Sequence, residues 1–255
     1  MVEIKNDFRS EDFSKKVAKD LEAVGMKELL EKGGFELVMK PLESKKLFSN
    51  NLEIIENLKS VKNDLDYDFP IVGNRRELRP NNKTELVEND EVHSVVIDEG
   101  KDEIFSTNKE WYETFSTFTD GLFMFQRSYV SDWHYSDRLH VPFVSIANFV
   151  RDSLMFAKQF YDGRLGKNDK ISFEWKLTKT KDREITPPTP SDRMCIYTHN
   201  CEEEEIVLQR TYEYGELEDC INYSAEIVGE ICENFGTEKA RWVSHAKAQY
   251  EKKRF

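Results

Sequence analysis

The sequence has little of several residues that mark common protein classes. Its 11 Gly and 7 Pro among 255 residues are too few for a collagen-like or low-complexity chain. Its 4 Cys are too few for a disulfide scaffold of this length. No apolar run approaches about 18 residues, so the sequence predicts no helix that spans a bilayer.

Basic residues are also in the minority, with 37 Lys and Arg against 49 Asp and Glu, for a net charge of −12. A surface of that sign repels a phosphate backbone, which disfavours general nucleic-acid binding. The charged start of the chain has no apolar run of the kind that a secretory signal contains. We therefore expect a cytoplasmic protein with reduced cysteines and no membrane partner.

Aromatic residues, in contrast, are abundant: 17 Phe, 10 Tyr and 4 Trp are enough to fill a sizeable core. The order of helical and alternating patterns predicts an α+β fold, with mixed or antiparallel sheets packed against helices and long irregular connections. We divide the chain into a helix–strand region 1–90, a central α+β region 91–185, and a region 186–255 with a hairpin and C-terminal helices. One continuous domain is the alternative.

Apolar residues recur at helical spacing in five segments. Ser10 is a candidate N-cap of the first helix, and Pro142 is placed in the first turn of the strongest helix. The predicted helices are 11–31, a short helix within 47–58, 141–162, 216–235 and a final basic helix after Gly236.

Alternation of apolar and polar residues predicts strands. Within one of them, Phe123, Phe125 and Arg127 share a face. The segment 64–90 is predicted to be a long connection, and 111–118 is compatible with either helix or strand. The predicted strands are 35–42, 93–98, 122–130, 171–179, and a hairpin of 194–199 with 206–212.

The order and spacing of these elements follow a recognisable pattern. In chain order they are the helix 11–31, the strand 35–41 ending at a proline, the steps Asp68-Phe69-Pro70 and Arg79-Pro80, the aromatic-x-aromatic-x-Arg strand 123–127, the aliphatic-proline step Val141-Pro142 and the strand 171–177. This order resembles the region C-terminal to the AlbA-type, Schlafen-like nucleic-acid-binding domain of bacterial and archaeal proteins, over residues 8–180.

The AlbA-type domain itself is not seen in this chain, so its DNA contact is assigned to no residue here. The resemblance implies a companion module with a sensing or assembly role in regulation or phage defence.

Motifs of common enzyme classes are missing from the sequence. There is no Gly-rich phosphate loop, no Gly-x-Ser-x-Gly elbow and no His-Glu-x-x-His. If this segment is an extended strand, Cys195, His199 and Cys201 share one face of it. Cys195 and His199 then stand about 13 Å apart, too far for one zinc ion to bind both without a sharp bend. Cys220 and Cys232 fall on the apolar face of a helix and are predicted as core residues. These patterns predict no catalytic residue, no metal and no cofactor.

The segment 132–140 is the most chemically varied loop. Two carboxylates, two imidazoles and a guanidinium fall within nine residues, a set able to bind an anion or to move protons. A turn whose Asp and Ser side chains hydrogen-bond the backbone is the alternative. The candidate ligand-binding residues are Asp132, Trp133, His134, Asp137, Arg138 and His140.

The final helix is basic and also carries aromatic residues. Cations beside aromatics suit phosphates and stacked bases, and they equally suit the acidic segment 202–233 of the same or a neighbouring chain. A solvated helix is the simplest interpretation. The candidate contacts with a partner or a nucleic acid are Arg241, Lys247, Lys252, Lys253 and Arg254.

These observations favour a non-enzymatic interaction or sensor module of a prokaryotic regulatory or defence protein, with a protein partner or self-association. A nucleic-acid-associated protein that uses the basic C-terminal helix is the first alternative. An enzyme that uses the loop 132–140 is the second.

Overall fold

The computed structural model describes residues 8–23, 25, 27–43, 46–61, 83–88, 91–98, 111–129, 140–186, 199–236 and 238–252. Its helices are α1 (Phe8–Ala23), α2 (Asn51–Ser60), α3 (Phe143–Phe160), α4 (Cys220–Glu233) and α5 (Lys239–Lys252). Short 3-10 turns occupy Lys27–Lys32 and Tyr214–Asp219. The strands are β1 (Gly34–Pro41), β2 (Lys83–Glu88), β3 (Glu91–Asp98), β4 (Trp111–Phe118), β5 (Phe123–Ser128), β6 (His140–Pro142), β7 (Lys170–Thr178), β8 (Glu184–Thr186) and β9 (Glu205–Glu213).

Seven strands form one sheet in the order β2-β3-β4-β5-β1-β7-β9, and every neighbouring pair is antiparallel. β1 lies in its interior, because it pairs with β5 on one side and with β7 on the other. β6 and β8 form a separate short parallel pair. The predicted α+β fold is confirmed, and strands from all three predicted regions of the chain meet in the one sheet.

One face of the sheet forms the main core with α2, α3, α4 and α5. Phe35, Leu37 and Met39 alternate along β1, so all three point to this face. α3 is buried along most of its length, since it contacts both the sheet and α4. Trp175 of β7 is fully buried, and its Nε1 donates a hydrogen bond to Ser153 Oγ of α3 at 2.8 Å. The aromatic residues of the sequence therefore fill the space between sheet and helices.

α1 packs on the opposite face of the sheet. Phe13, Val17 and Leu21 recur every fourth residue along α1 and are buried against β3, β4 and β5. This apolar stripe sets the rotation of α1 about its axis and decides which of its charged residues face the sheet and which face solvent.

The face of the sheet that α1 covers at β3, β4 and β5 carries charged residues at β1, β7 and β9. Lys176 of β7 lies 3.9 Å from Glu36 of β1 and 2.9 Å from Glu205 of β9. Burial raises the pKa of Glu36 above its ordinary value; Lys176 opposes this shift, and Glu205 and Glu174 add to it. Ionised Glu36 is therefore a cost to the folded state.

Three predicted helix boundaries are wrong. The helix predicted over 216–235 begins at Cys220, because a 3-10 turn occupies Tyr214–Asp219. The helix predicted over 11–31 ends at Ala23, because Gly25 takes a positive φ of 75° and a 3-10 turn follows. The strongest helix begins at Phe143, since Val141 and Pro142 belong to β6.

Three further segments of the predicted strand pattern are resolved in whole or in part. The segment 111–118, left open between helix and strand, is β4. The connection predicted over 64–90 contains β2, so that prediction is wrong for residues 83–88, while 62–82 lie outside the described residues. The strand predicted over 206–212 pairs with β7, and residues 194–198 of its predicted hairpin partner lie outside the described part of the chain.

Candidate functional site

The predicted loop site falls almost entirely outside the described residues. His140 is half-buried at the start of β6, where it is opposite Glu184 of β8. The role of the other candidates stays a prediction, because they lie outside the described ranges: Asp132, Trp133, His134, Asp137 and Arg138.

The basic C-terminal helix packs its apolar side into the core. Trp242 and Tyr250 are buried, and the Tyr250 hydroxyl donates a hydrogen bond to the Ala147 carbonyl of α3 at 2.9 Å. The predicted contact residues are distributed as follows: Arg241 is exposed, Lys247 is half-buried, Lys252 is the last residue of α5, and Lys253 and Arg254 lie outside the described residues.

Lys239, which no sequence pattern indicates, joins α5 to an acidic surface. Its ammonium group lies 3.2 Å from Glu226 and 2.9 Å from Glu230, both on α4. Burial raises the pKa of Glu230, but hydrogen bonds from Lys239 and Arg210 outweigh this effect and leave that pKa below its ordinary value. The basic helix α5 therefore forms ion pairs, through Lys239, with the acidic segment 202–233 of its own chain.

The cysteines of the described residues are free thiols in the core. Cys201, Cys220 and Cys232 are all buried, which confirms the core positions predicted for the last two. Burial raises the pKa of the Cys220 and Cys232 thiols. Cys195 lies outside the described residues, and within the described part no three His, Cys, Asp or Glu side chains form a group suited to a metal ion.

A chain of polar contacts joins α1 to the sheet. Asp20 of α1 lies 3.0 Å from Nε2 of His93 on β3, and His93 Nδ1 lies 2.7 Å from Ser116 Oγ on β4. Ser116 donates a hydrogen bond to Glu91 of β3 at 2.7 Å, and Glu91 forms an ion pair with Lys16 of α1. We call these five residues the α1 network.

The α1 network contains Asp, His and Ser, the residue types of a hydrolase triad, but its serine is not available as a nucleophile. Ser116 is fully buried, and its proton is directed to the Glu91 carboxylate. A carboxylate beside the hydroxyl opposes the negative charge that develops on an attacking oxygen. We therefore interpret the α1 network as a set of hydrogen bonds that holds α1 against the sheet.

A groove of about 330 Å³ opens beside the α1 network, at the end of β4. Phe13 and Phe118 form its apolar part. The charged part of its lining has an excess of cations, with two carboxylates, Asp12 and Glu91, against four cationic side chains of α1, namely Arg9, Lys15, Lys16 and Lys19.

The four cations of the groove differ in how far they are neutralised. Arg9 forms an ion pair with Asp120 at 2.9 Å, and its guanidinium lies 4.9 Å from the centre of the Phe118 ring. Lys15 is 73 % exposed, and its carboxylate neighbours on α1 are 3.8 and 4.0 Å away. Lys19 is exposed and has no ion-pair partner among the described residues. Lys15 and Lys19 are therefore the cations best placed to meet an anion from outside.

Sequence reasoning missed both the α1 network and the groove. The sequence holds a weak signal for the α1 network. His93 shares a strand face with Val95, and Ser116 shares one with Tyr112 and Phe118. A polar residue in such a buried row indicates a partner. The partner itself lies on α1, more than seventy residues away in the chain from His93, and no local pattern identifies it.

Comparison with protein-family models, curated proteins and solved structures finds no match for this chain. The resemblance to the region that follows AlbA-type domains therefore stays a prediction from the sequence. Among the described residues, no helix is both long enough and apolar enough to cross a membrane.

Proposed function

We propose that the chain is a non-enzymatic interaction module that binds a short acidic segment of a protein partner in the groove beside α1. The observation that supports this most directly is the lining of the groove. Four cations and two carboxylates surround two phenylalanines, in a protein whose net charge is −12. A local excess of positive charge on an acidic protein favours anionic partners through electrostatic complementarity.

The apolar part of the groove favours a peptide over a simple anion. Phe13 is buried and Phe118 is half-buried beneath the Arg9 guanidinium. An extended segment directs successive side chains to opposite sides. One side chain can then lie against Phe118 while the carboxylate of its neighbour reaches Lys15 or Lys19.

The groove is formed before a partner binds, because α1 is fastened to the sheet in two ways. Val17 and Leu21 are each only 1 % exposed against the sheet, and the α1 network adds hydrogen bonds between α1, β3 and β4. A site that is already ordered loses less conformational entropy on binding, which leaves more of the contact energy as affinity.

As the family resemblance implies, we place this module in a regulatory or defence assembly, and the sequence expectation of a cytoplasmic location agrees with that role. A nucleic acid is the less favoured partner, since two exposed lysines offer few phosphate contacts and the chain as a whole is acidic.

Fluorescence anisotropy with a fluorescein-labelled oligoglutamate peptide tests the proposal. We expect binding to the full chain and a loss of affinity in the double variant Lys15→Gln, Lys19→Gln. Gln and Lys have similar helix propensities, so α1 is expected to remain folded. Two exposed ion pairs together contribute about 0.4–2 kcal/mol, so the affinity is expected to fall about 2- to 30-fold.

The matched control is Lys59→Gln on α2, an exposed lysine on the opposite side of the sheet, which should leave the affinity unchanged. Equal affinity of the double variant and the wild type would refute the groove as the binding site, and so would the absence of any anisotropy change. A labelled oligothymidylate that binds more tightly than the peptide, and is lost in the same double variant, would replace the acidic partner by a nucleic acid.

A further inference from the structure

An acidic loop lies between β8 and β9. Glu202, Glu203 and Glu204 are all exposed. Their backbone is tied to the turn after β7, because the Thr180 amide donates to the Glu204 carbonyl at 3.0 Å and the Thr180 hydroxyl donates to the Glu203 carbonyl at 2.6 Å. Lys181 lies 3.5 Å from Glu204, whereas Glu202 and Glu203 have no cation within ion-pair distance among the described residues. We call residues 202–204 the acidic loop.

The acidic loop cannot reach the groove of its own chain. Glu205, which follows the loop, is opposite Thr178 at one end of the sheet. Phe118 and Glu91, which line the groove, are opposite each other at the other end. The strands β5, β1 and β7 also lie between β4 and β9. Strand spacing and strand length then separate loop and groove by on the order of 30 Å.

We infer that the acidic loop of one copy occupies the groove of a second copy, with Glu202 and Glu203 facing Lys15 and Lys19. This inference rests on the proposed function, because it names the acidic segment that the groove binds. The two contacting surfaces are different, so the contact is heterologous. Each pair keeps one open groove and one open loop, and further copies add head to tail.

The charge of the whole chain sets the conditions for this contact. Two copies of net charge −12 repel each other at long range. At about 0.15 M salt the Debye length is about 8 Å, so distant charges are screened while adjacent carboxylate–ammonium pairs still attract. At about 1 M salt the Debye length is about 3 Å, and the adjacent pairs weaken as well. We therefore expect association to be strongest near physiological salt and weaker at both extremes.

Sedimentation velocity on the full chain, over a wide range of concentration, tests the inference. The wild type is expected to form species larger than the 30.1 kDa monomer, in a share that grows with concentration. The groove variant, Lys15→Gln with Lys19→Gln, and the loop variant, Glu202→Gln with Glu203→Gln, are each expected to stay monomeric. An equimolar mixture of the two retains one intact groove and one intact loop. It should therefore give a species of two chains and nothing larger.

Matched controls are Lys59→Gln and Glu56→Gln, exposed residues of α2 that should assemble as the wild type does. Far-UV circular dichroism verifies that each variant is folded. A wild type that is monomeric at every concentration would overturn the inference, as would variants that assemble normally or a mixture without a two-chain species.

The peptide measurement keeps the two proposals distinguishable. Oligoglutamate binding that is lost in the groove variant, together with a monomeric wild type, supports the proposed function and rejects self-association. A wild type that does not bind oligoglutamate rejects the proposed function and with it this account of any assembly.

Discussion

The substitution Ser116→Ala removes the central hydroxyl of the α1 network without opening a large cavity. That hydroxyl donates a hydrogen bond to the Glu91 carboxylate and makes a second hydrogen bond with His93. A buried hydrogen bond contributes about 0.5–1.5 kcal/mol, and one to a charged group contributes about 1.5–3 kcal/mol. We therefore expect the unfolding free energy to fall by about 2–4 kcal/mol.

Urea and thermal unfolding, followed by circular dichroism, measure this change. In a chain of about this size each kcal/mol shifts Tm by about 2–4 °C, so the expected decrease in Tm is about 4–16 °C. The urea slope should stay constant, because α1 remains part of the folded state and the surface exposed on unfolding does not change.

A matched control lies on the neighbouring strand. Ser94 is 2 % exposed on β3, and its hydroxyl has no hydrogen-bond partner among the described residues. An unpaired buried hydroxyl costs about 1–3 kcal/mol, so Ser94→Ala should leave the stability unchanged or raise it. If Ser116→Ala is no more destabilising than Ser94→Ala, the α1 network does not fasten α1, and the account of the preformed groove fails with it.

Two further predictions concern the charged sheet face and the backbone. The pKa of Glu36 is raised in the folded state, so its charge destabilises the fold fully above the raised pKa and not at all below the ordinary pKa of 4.5. Glu36→Gln should therefore raise Tm at neutral pH and leave it unchanged in acid. A lower Tm at neutral pH would contradict this. Gly33 and Gly163 have positive φ values of 75° and 70°, but a Cβ at Gly33 would clash with the Thr178 carbonyl, whereas a Cβ at Gly163 would meet open space. In urea melts, Gly163→Ala should therefore cost about 1–2 kcal/mol and Gly33→Ala clearly more. Equal costs would show that the close approach at Gly33 is not strained.

The sequence predicts well those helices and strands whose buried face follows from the spacing of their own apolar residues. Phe123 and Phe125 alternate along β5 and are both buried towards α3. The apolar positions of α3 are equally local in origin, and two of them, Phe149 and Leu154, are buried. Periodicity identifies such faces because each buried element must present one apolar side to the core, whatever it packs against.

Sequence reasoning fails where distant segments decide the structure. β2 lies in a charged stretch, and its pairing with β3 rather than its own pattern makes it a strand. β9 joins β7 across an intervening segment of more than twenty residues, a choice that depends on which sheet edge is open. Gly25 is an unfavourable residue inside a helix, but a sequence pattern alone does not show that α1 ends before it.

The groove could not be predicted from the sequence for the same reason, because distant contacts decide which charged residues of α1 share a side. Within Phe8–Ala23 four basic residues are balanced by four acidic ones, so a count along the sequence gives no net charge. The apolar stripe of Phe13 and Leu21 fixes the rotation of α1, and Arg9, Lys16 and Lys19 then fall on one flank of it by helical spacing. Asp20 is directed inward instead, where His93 engages it. A segment that is neutral in sequence thereby gains a cationic side, and the acidic partner that we propose depends on this side.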